Sequence, residues 1–436
     1  MSTTVSGTGP DPVVVVAGAA PATAATAAPA DSAPPAAPAR SRPHVVAFDM
    51  VRLIIMVFVV GVHALSQAGG QVTVVLGAIT TVFHTSRELF FLLTALVLTY
   101  NYGPGRRVRW LRFWRRRYWL VVPAYVAWTL IYYAFDGPGR GPFPGAVWHD
   151  LLHASARYHM YFLLVTMQVY LVFPLLRWVL AKTAGHHVAL FVAACAYQVA
   201  LTAAIQYHLV PAGPLAGWIN EAGIGIWLES YVLYVVGGAL AGWHFERICA
   251  VTRRYASART VTLAAGFGVA AGLGAYFAEV YAGGQAPITA SAVFQPVVVV
   301  EALAFGWALL AGGLLWSDRG APHRKFFAAG SASSFGIYLA HPLVLQGLLF
   351  AASAGGVLAA VRGAPAALEV LVLLGGIVPV VYGASWVIAS AARRTPLSLV
   401  LTGREYRARK RARARGGKEL RAGLCGESSC WLSRSC

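Results

Sequence analysis

The stretch FDMVRLIIMVFVVGVHALS, residues 48–66, places ionisable side chains in an apolar run as long as a membrane span. Asp49 lies three residues before Arg52, and His63 lies eleven residues after it. Eleven residues are close to three helical turns, so Arg52 and His63 share one face, about 16 Å apart along the axis. Arginine suits a phosphate-bearing anion, and imidazole suits proton transfer near neutral pH. Because ionisable groups are costly in hydrocarbon, the pattern predicts a binding or reaction path along this face.

A structural interpretation of the same stretch remains open. Arg52 can extend its guanidinium to the inner membrane interface and pair with Asp49, while His63 hydrogen-bonds a neighbouring helix. In this structural interpretation neither side chain binds a ligand. The spacing alone does not distinguish it from a binding or reaction path.

A second polar group lies in FHTSRELFFLLTALVLTYNYG, where His84, Arg87 and Glu88 fall within five positions. A carboxylate near an imidazole can orient the ring and raise its basicity, so Glu88 is a candidate partner for His63. The alternative is an interfacial ion pair between the oppositely charged neighbours.

Two more ionisable residues, Glu229 and His341, lie in apolar segments. For a lone imidazole such as His341, a hydrogen-bonded place in the protein core is the simpler interpretation. The residues alone assign no role to either side chain.

Arginines alternate with aromatic residues in RRVRWLRFWRRR, residues 106–117. One interpretation is a charged loop that fixes topology and contacts anionic lipid headgroups. The other is a docking surface for a large phosphate-rich cofactor, because arginine suits phosphate recognition. The side chains considered for that surface are Arg112, Arg115, Arg116 and Arg117.

Helices in a bilayer are the elements that must position these side chains. Of the 436 residues, 58% are hydrophobic and only 12% are charged, about half the charge of a soluble domain. Ten apolar segments reach span length, so we expect an all-α polytopic membrane protein with about ten transmembrane helices. The segments lie near 45–65, 74–100, 117–136, 158–179, 187–206, 227–246, 260–280, 295–315, 330–351 and 368–391.

The distribution of Lys and Arg predicts the direction of each segment. With a cytoplasmic N-terminus, the short inner loops carry sixteen of these residues and the outer loops carry three. This positive-inside pattern places both termini in the cytoplasm, with Arg52 toward the cytoplasm and His63 toward the outer half of the membrane. The net charge of +19 is then a topology signal, and we expect no nucleic acid partner.

Two polar tails flank the apolar region. Residues 1–43 form an Ala/Pro-rich tract whose composition predicts disorder, and residues 393–436 form a basic cytoplasmic tail. Residues 44–392 are the predicted ten-helix domain. The five cysteines lack CxxC spacing, so we expect no zinc site.

Four stretches resemble motifs of the acyltransferase-3 family of integral membrane acyltransferases, over residues 44–392. DMVRLIIMVFVVGVH is similar to the family's opening motif, an Arg, ten residues and then a His, which maps onto Arg52 and His63. FFLLTALVLTYNYG resembles its second-span motif, with Thr94-Ala95 where relatives usually have Ser-Gly. RRRYWLVVPAYVAWTLIYY resembles its basic loop entering a span, and SSFGIYLAHPL its late Ile-Tyr-Leu-x-His-Pro signature.

The resemblance implies transfer of an acyl group, often acetyl or succinyl, from cytoplasmic acyl-CoA to a hydroxyl of a carbohydrate, lipid-linked glycan or antibiotic. Carried over, His63 is the catalytic base and Arg52 helps to hold the donor. The residues themselves, apart from the resemblance, add Glu88 as a candidate for orienting the base or for binding the acceptor. We expect acetyl-CoA as the donor, anionic lipids at the basic loops, no metal, and a bacterial cell membrane as the location. The CoA phosphates would be neutralised by Arg112, Arg115, Arg116 and Arg117.

Two other classes of function remain open. A transporter or glycan exporter also places polar residues within a membrane, although the sequence shows no obvious inverted repeat or paired broken helices. A structural assembly partner would need these side chains for folding alone. Dependence on a thioester donor distinguishes the enzyme from the transporter.

Overall fold

The computed structural model describes residues 42–406, apart from 70, 137–140, 212, 215, 216 and 218–221. Regular secondary structure within these ranges is helical, without a strand. Most of the two predicted tails lies outside the described residues. In chain order the α-helices are α1 (Ala47–Ala68), α2 (Val74–His84), α3 (Ser86–Tyr102), α4 (Trp110–Asp136), α5 (Gly145–His153), α6 (Tyr161–Lys182), α7 (His187–Gln206), α8 (Val232–Trp243), α9 (Phe245–Tyr255), α10 (Ala258–Phe277), α11 (Pro287–Ala290), α12 (Val297–Asp318), α13 (Arg324–Ala354), α14 (Val357–Arg362), α15 (Ala366–Val370), α16 (Val378–Ala392) and α17 (Ser398–Thr402).

Nine helical stretches among the described residues are long and apolar enough to cross a membrane. Six are single α-helices, namely α1, α4, α6, α7, α12 and α13. The other three are joined stretches: α2 with α3, α10 with the π-helical turn Ala278–Ala282, and α15 with α16 through the π-helical turn Leu371–Ile377. This confirms the predicted all-α polytopic fold. The count differs by one because the predicted segment 227–246 does not form a helix of span length.

That sixth predicted segment folds as a 3₁₀ turn, Leu228–Tyr231, followed by α8, which is only about 18 Å long. Close contact with α3 holds this short helix in place. Methyl groups added at Gly238 and Gly242 would collide with the carbonyl oxygens of Leu92 and Leu96. The order of these contacts shows that α8 and α3 run in the same direction, as alternation predicts for the second and sixth of ten crossings.

The first helix runs beside α13, again in the same direction. Arg52 contacts Ser331 near one end of the pair, and His63 contacts His341 near the other. Among the nine stretches, α1 is also the most enclosed, with 67% of its apolar window buried. Both polar positions on α1 therefore face protein rather than lipid, and they face the same neighbour.

The second predicted span, 74–100, is broken at Thr85 into α2 and α3. Thr85 Oγ1 donates a hydrogen bond of 2.9 Å to the carbonyl of Val82 at this break. His84 ends α2, and Arg87 and Glu88 lie in the first turn of α3. The break thus places the second polar group at a point where the helix axis can change direction.

Residues 393–406 begin the predicted basic tail, and in the structure they fold against the helices. We call them the C-terminal arm. Trp128 Nε1, on α4, donates to the carbonyl of Leu401 at 3.2 Å, and Ser398 Oγ donates to the carbonyl of Arg404 at 2.8 Å. These bonds fix both the place of α17 and the turn that follows it.

Candidate active site

A cavity of about 1680 Å³ opens between α1, α4, α6, α13 and the C-terminal arm. Every arginine predicted to hold a phosphate-bearing ligand lines this one cavity, although these residues come from two separate motifs. They are Arg52 on α1 and, at the start of α4, Arg112, Arg115, Arg116 and Arg117. Helix packing thus joins the two motifs into a single site.

The C-terminal arm adds two arginines to the lining, Arg393 and Arg404, which the sequence analysis did not assign. The signal available was the basic RRTPL directly after the last span, but nothing in those letters indicates that the chain folds back. Within the described lining, seven arginines stand against one acidic residue, Glu405. Such an imbalance attracts a ligand that carries several negative charges.

The predicted pair of Asp49 with Arg52 does not match the bonds that these side chains make. Oδ2 of Asp49 lies 2.8 Å from Nε2 of His44, in the residues just before α1. Arg52 Nη1 instead donates to Ser331 Oγ at 3.4 Å. Asp49 lies in the first turn of α1, where it contacts His44 in the residues before the helix, whereas Arg52 lines the cavity.

Two further guanidinium groups in the cavity lining differ in their surroundings. Arg117 lies over aromatic faces, 5.6 Å from the ring centroids of both Tyr102 and Tyr170, where the negative faces of the rings stabilise the cation. Arg404 is exposed to the cavity, and desolvation by the protein around it, together with the positive charge of Arg52, lowers its pKa against a smaller opposing effect of Asp49. An anion bound beside Arg52 and Arg404 would remove that repulsion.

The inner end of the cavity is apolar and aromatic. Met56, Phe162, Leu163 and Tyr338 line it there. Met56 lies seven residues before His63, hence on nearly the same face of α1. The cavity lining therefore continues from Arg52 along the face of α1 that leads toward His63.

Beyond this end lies a cluster of three histidines: His63 on α1, His341 on α13, and His159 in the turn just before α6. The His63 ring is 5.3 Å from that of His341, at an interplanar angle of 23°, and 4.5 Å from that of Tyr158. His159 lies 5.3 Å from His341 and 5.0 Å from Tyr338. Tyr338 thus borders both the cavity and the histidine cluster.

Hydrogen bonds fix the orientation of His341 in this cluster. Its Nδ1 lies 2.7 Å from the carbonyl of Tyr338, and a carbonyl only accepts, so Nδ1 carries the hydrogen. Its buried Nε2 has no partner among the described residues, and neither ring nitrogen of His159 has one. His341 is thus buried, as predicted, but only Nδ1 of its ring forms a hydrogen bond among the described residues. Within the described ranges, no three His, Cys, Asp or Glu side chains are placed to hold a metal ion.

The other predicted catalytic residue, Glu88, lies in a buried ion pair. Arg87 Nε donates to Glu88 Oε1 at 2.6 Å, and Arg87 Nη2 donates to the carbonyl of Val293 at 3.1 Å. The Glu88 side chain is only 1% exposed, so the pair is buried rather than interfacial. The ring neighbours of His63 are instead Tyr158 and His341. A role for Glu88 in orienting His63 stays a prediction.

Together these features define a polytopic helical membrane protein with an anion-attracting cavity that ends beneath a buried histidine cluster. Comparison with protein families gives a match to the acyltransferase domain of the acyltransferase-3 family over residues 45–389. The chain belongs to this family, and it is a multi-pass membrane acyltransferase. Searches among curated proteins and among solved structures found no match.

Proposed function

We propose that the protein transfers a short acyl group, such as acetyl, from cytoplasmic acyl-CoA to a hydroxyl of a carbohydrate or lipid-linked glycan, in a bacterial cell membrane. The observation that carries this proposal is the common cavity. Arginines from two distant motifs line it, and its inner end meets Tyr338, which contacts the histidine cluster that includes His63.

The cavity suits acyl-CoA as the donor in charge and in size. Ligand pockets for drug-sized molecules are about 300–1,000 Å³, and this cavity of about 1680 Å³ is larger. Arginine forks match the phosphate groups of CoA in geometry and charge. The phosphates would lie at Arg52 and at the arginines of α4, with the pantetheine arm directed toward Met56 and Tyr338.

The spacing on α1 suits the separation of phosphate and thioester in this donor. Arg52 and His63 are about 16 Å apart along the helix axis, and the long pantetheine arm separates the phosphates from the thioester. Met56 and Tyr338 stand at the inner end of the cavity. Passage of the thioester to His63 then requires these two side chains to move apart.

In the proposed reaction, His63 removes the proton from the acceptor hydroxyl, and the oxygen attacks the thioester carbonyl. The new carbon–oxygen bond forms as the carbon–sulfur bond breaks, and the proton passes from His63 to the departing CoA sulfur. A general base at this position contributes about 10²–10⁴-fold to the rate. The reaction uses no metal.

The acceptor would approach from the outer side, where His63 contacts Tyr158. Anionic lipids would contact the basic loops on the cytoplasmic side of the membrane, apart from the arginines that hold the donor. No nucleic acid takes part, since the positive charge serves the donor, the lipids and the topology.

The test uses the purified full chain in lipid nanodiscs with radiolabelled acetyl-CoA and a glycan and lipid extract as acceptor. We expect label in the extract with the wild type and about 10²–10⁴-fold slower labelling with His63→Ala. His153→Ala, an exposed histidine on α5, is the matched control and should keep full activity. Full transfer by His63→Ala would refute the base assignment, and no binding of CoA by the wild type would refute the function.

A further inference from the structure

The C-terminal arm lines part of the cavity and packs against α4, the helix that begins with the arginines predicted to bind the donor. It contributes Arg393 and Arg404, from positions before and after α17. The cavity lining thus contains two groups of arginines from separate segments of the chain, one at the start of α4 and one on the arm, and we call these the two arginine walls; Arg52 on α1 is a third point of positive charge.

The C-terminal arm is hydrogen-bonded and packed against the helices of the fold. The bonds from Trp128 and Ser398 hold α17 and the turn after it. That turn uses Gly403, whose φ of 59° is in the left-handed region. A methyl group there would lie 2.6 Å from a ring carbon of Phe335 and 2.8 Å from the carbonyl oxygen of Leu120. The backbone next to Arg404 is therefore packed against both α13 and α4.

The charges on the arm are placed for a ligand. Arg393 Nη1 donates to Ser333 Oγ at 3.1 Å, which fixes its guanidinium at the cavity wall. Arg404 lines the same cavity as Arg52, and the repulsion between these two positive charges outweighs the attraction of Asp49 for Arg404. Placing like charges around one opening is unfavourable unless a multiply charged anion joins them.

We infer that the arm is a second phosphate-binding wall, which selects acyl-CoA over acyl donors that carry a single phosphate group. The inference rests on the proposed function. CoA carries phosphate at two places, a diphosphate and the ribose 3′-phosphate, so it can contact both walls at once. The thioester of a carrier protein has one phosphodiester on its arm, so it can use only one wall at a time.

Direct binding to the full chain in nanodiscs tests this without knowledge of the acceptor. Titration with CoA should give about tenfold weaker binding for Arg393→Gln and for Arg404→Gln, because each removes a charged hydrogen bond to phosphate. The matched control is Arg394→Gln, which lies next to Arg393 but is exposed and outside the lining. It should bind CoA as the wild type does.

Titration with 4′-phosphopantetheine measures selectivity. A ligand with one phosphate can use whichever wall remains, so the double variant Arg393→Gln/Arg404→Gln should lose little affinity for it. The preference for CoA should therefore fall at least tenfold in that variant. Circular dichroism and thermal melting would confirm that the variants are folded.

Two results would overturn the inference. One is CoA binding by both arm variants equal to that of the wild type, while Arg112→Gln weakens it; the proposed function would then stand without the arm. The other is an equal loss for CoA and 4′-phosphopantetheine in the double variant. Failure of the wild type to bind CoA is a different outcome, because it would remove the proposed function itself.

Discussion

Replacing Gly403 by alanine should weaken donor binding by moving the C-terminal arm, although residue 403 carries no charge. The position has a φ of 59°, which disfavours any residue with a side chain, and its neighbours leave no space for one. Arg404 follows it directly, so a shift of this turn moves a guanidinium that lines the cavity.

The expected cost has two parts. A left-handed conformation costs a non-glycine residue about 1–2 kcal/mol. Crowding against Phe335 and Leu120 adds about 1–3 kcal/mol if the fold resists. The sum of roughly 2–5 kcal/mol exceeds what one short segment can absorb, so the arm should leave its place in part of the population.

The assay compares Gly403→Ala with Gly185→Ala. Gly185 also has a positive φ, 91°, but an added methyl group there meets nothing within 4 Å. It therefore carries the conformational cost without the crowding, in a loop away from the arm. We expect CoA binding to weaken at least tenfold in Gly403→Ala and less than twofold in Gly185→Ala, with thermal melting of both variants in nanodiscs as the stability check.

Equal CoA affinity in the two alanine variants would refute this reasoning, because crowding at the arm would then have no effect on the cavity. A large loss of thermal stability in Gly403→Ala with unchanged CoA affinity would also refute it. In that case the arm would stabilise the fold without shaping the donor site.

Four other predictions concern different parts of the molecule. His63→Ala should lower kcat about 10²–10⁴-fold while CoA binding by titration is unchanged; weaker CoA binding would contradict a role limited to the base. His341→Ala leaves the Tyr338 carbonyl without its donor and should lower the unfolding free energy by about 1–3 kcal/mol, whereas His341→Asn should recover part of it in thermal melts. CoA affinity should fall as salt rises toward 0.5 M, because the cavity binds through charge; a flat salt dependence would argue against the arginine walls. Gly238→Ala should lower the melting temperature far more than Gly237→Ala, because only the first collides with the backbone of α3.

The sequence predicts those features of the site that depend on helical geometry and on membrane topology. The common face of Arg52 and His63 follows from the helical period, and both residues do face α13. The meeting of Arg52 with the arginines at the start of α4 follows from the loop charges, which put both on one side of the membrane. The helical period and the loop charges can both be read from a single sequence, so these features can be predicted without a structure.

Features that depend on contacts between distant segments could not be derived in this way. No spacing rule brings Arg404 beside Arg52, because the chain must first turn back at Gly403. His159 and His341 join His63 only through the packing of separate helices, which apolar segments of similar composition do not encode. Hydropathy also does not reveal that α8 is short. An apolar segment has the same hydropathy whether it forms one long helix or begins with a 3₁₀ turn.

The first helix, α1, by itself fixes the distance between the two ends of the proposed donor site, because it carries both Arg52 and His63. Gly330 lets α13 pack closely against α1, because a methyl group there would collide with the side chain of Leu53. The distance from Arg52 to His63 is then set by rigid backbone rather than by mobile loops. A CoA analogue with a shortened arm would hold its phosphates in place while its thioester stopped short of the imidazole. Such a molecule would be a tight inhibitor rather than a slow substrate.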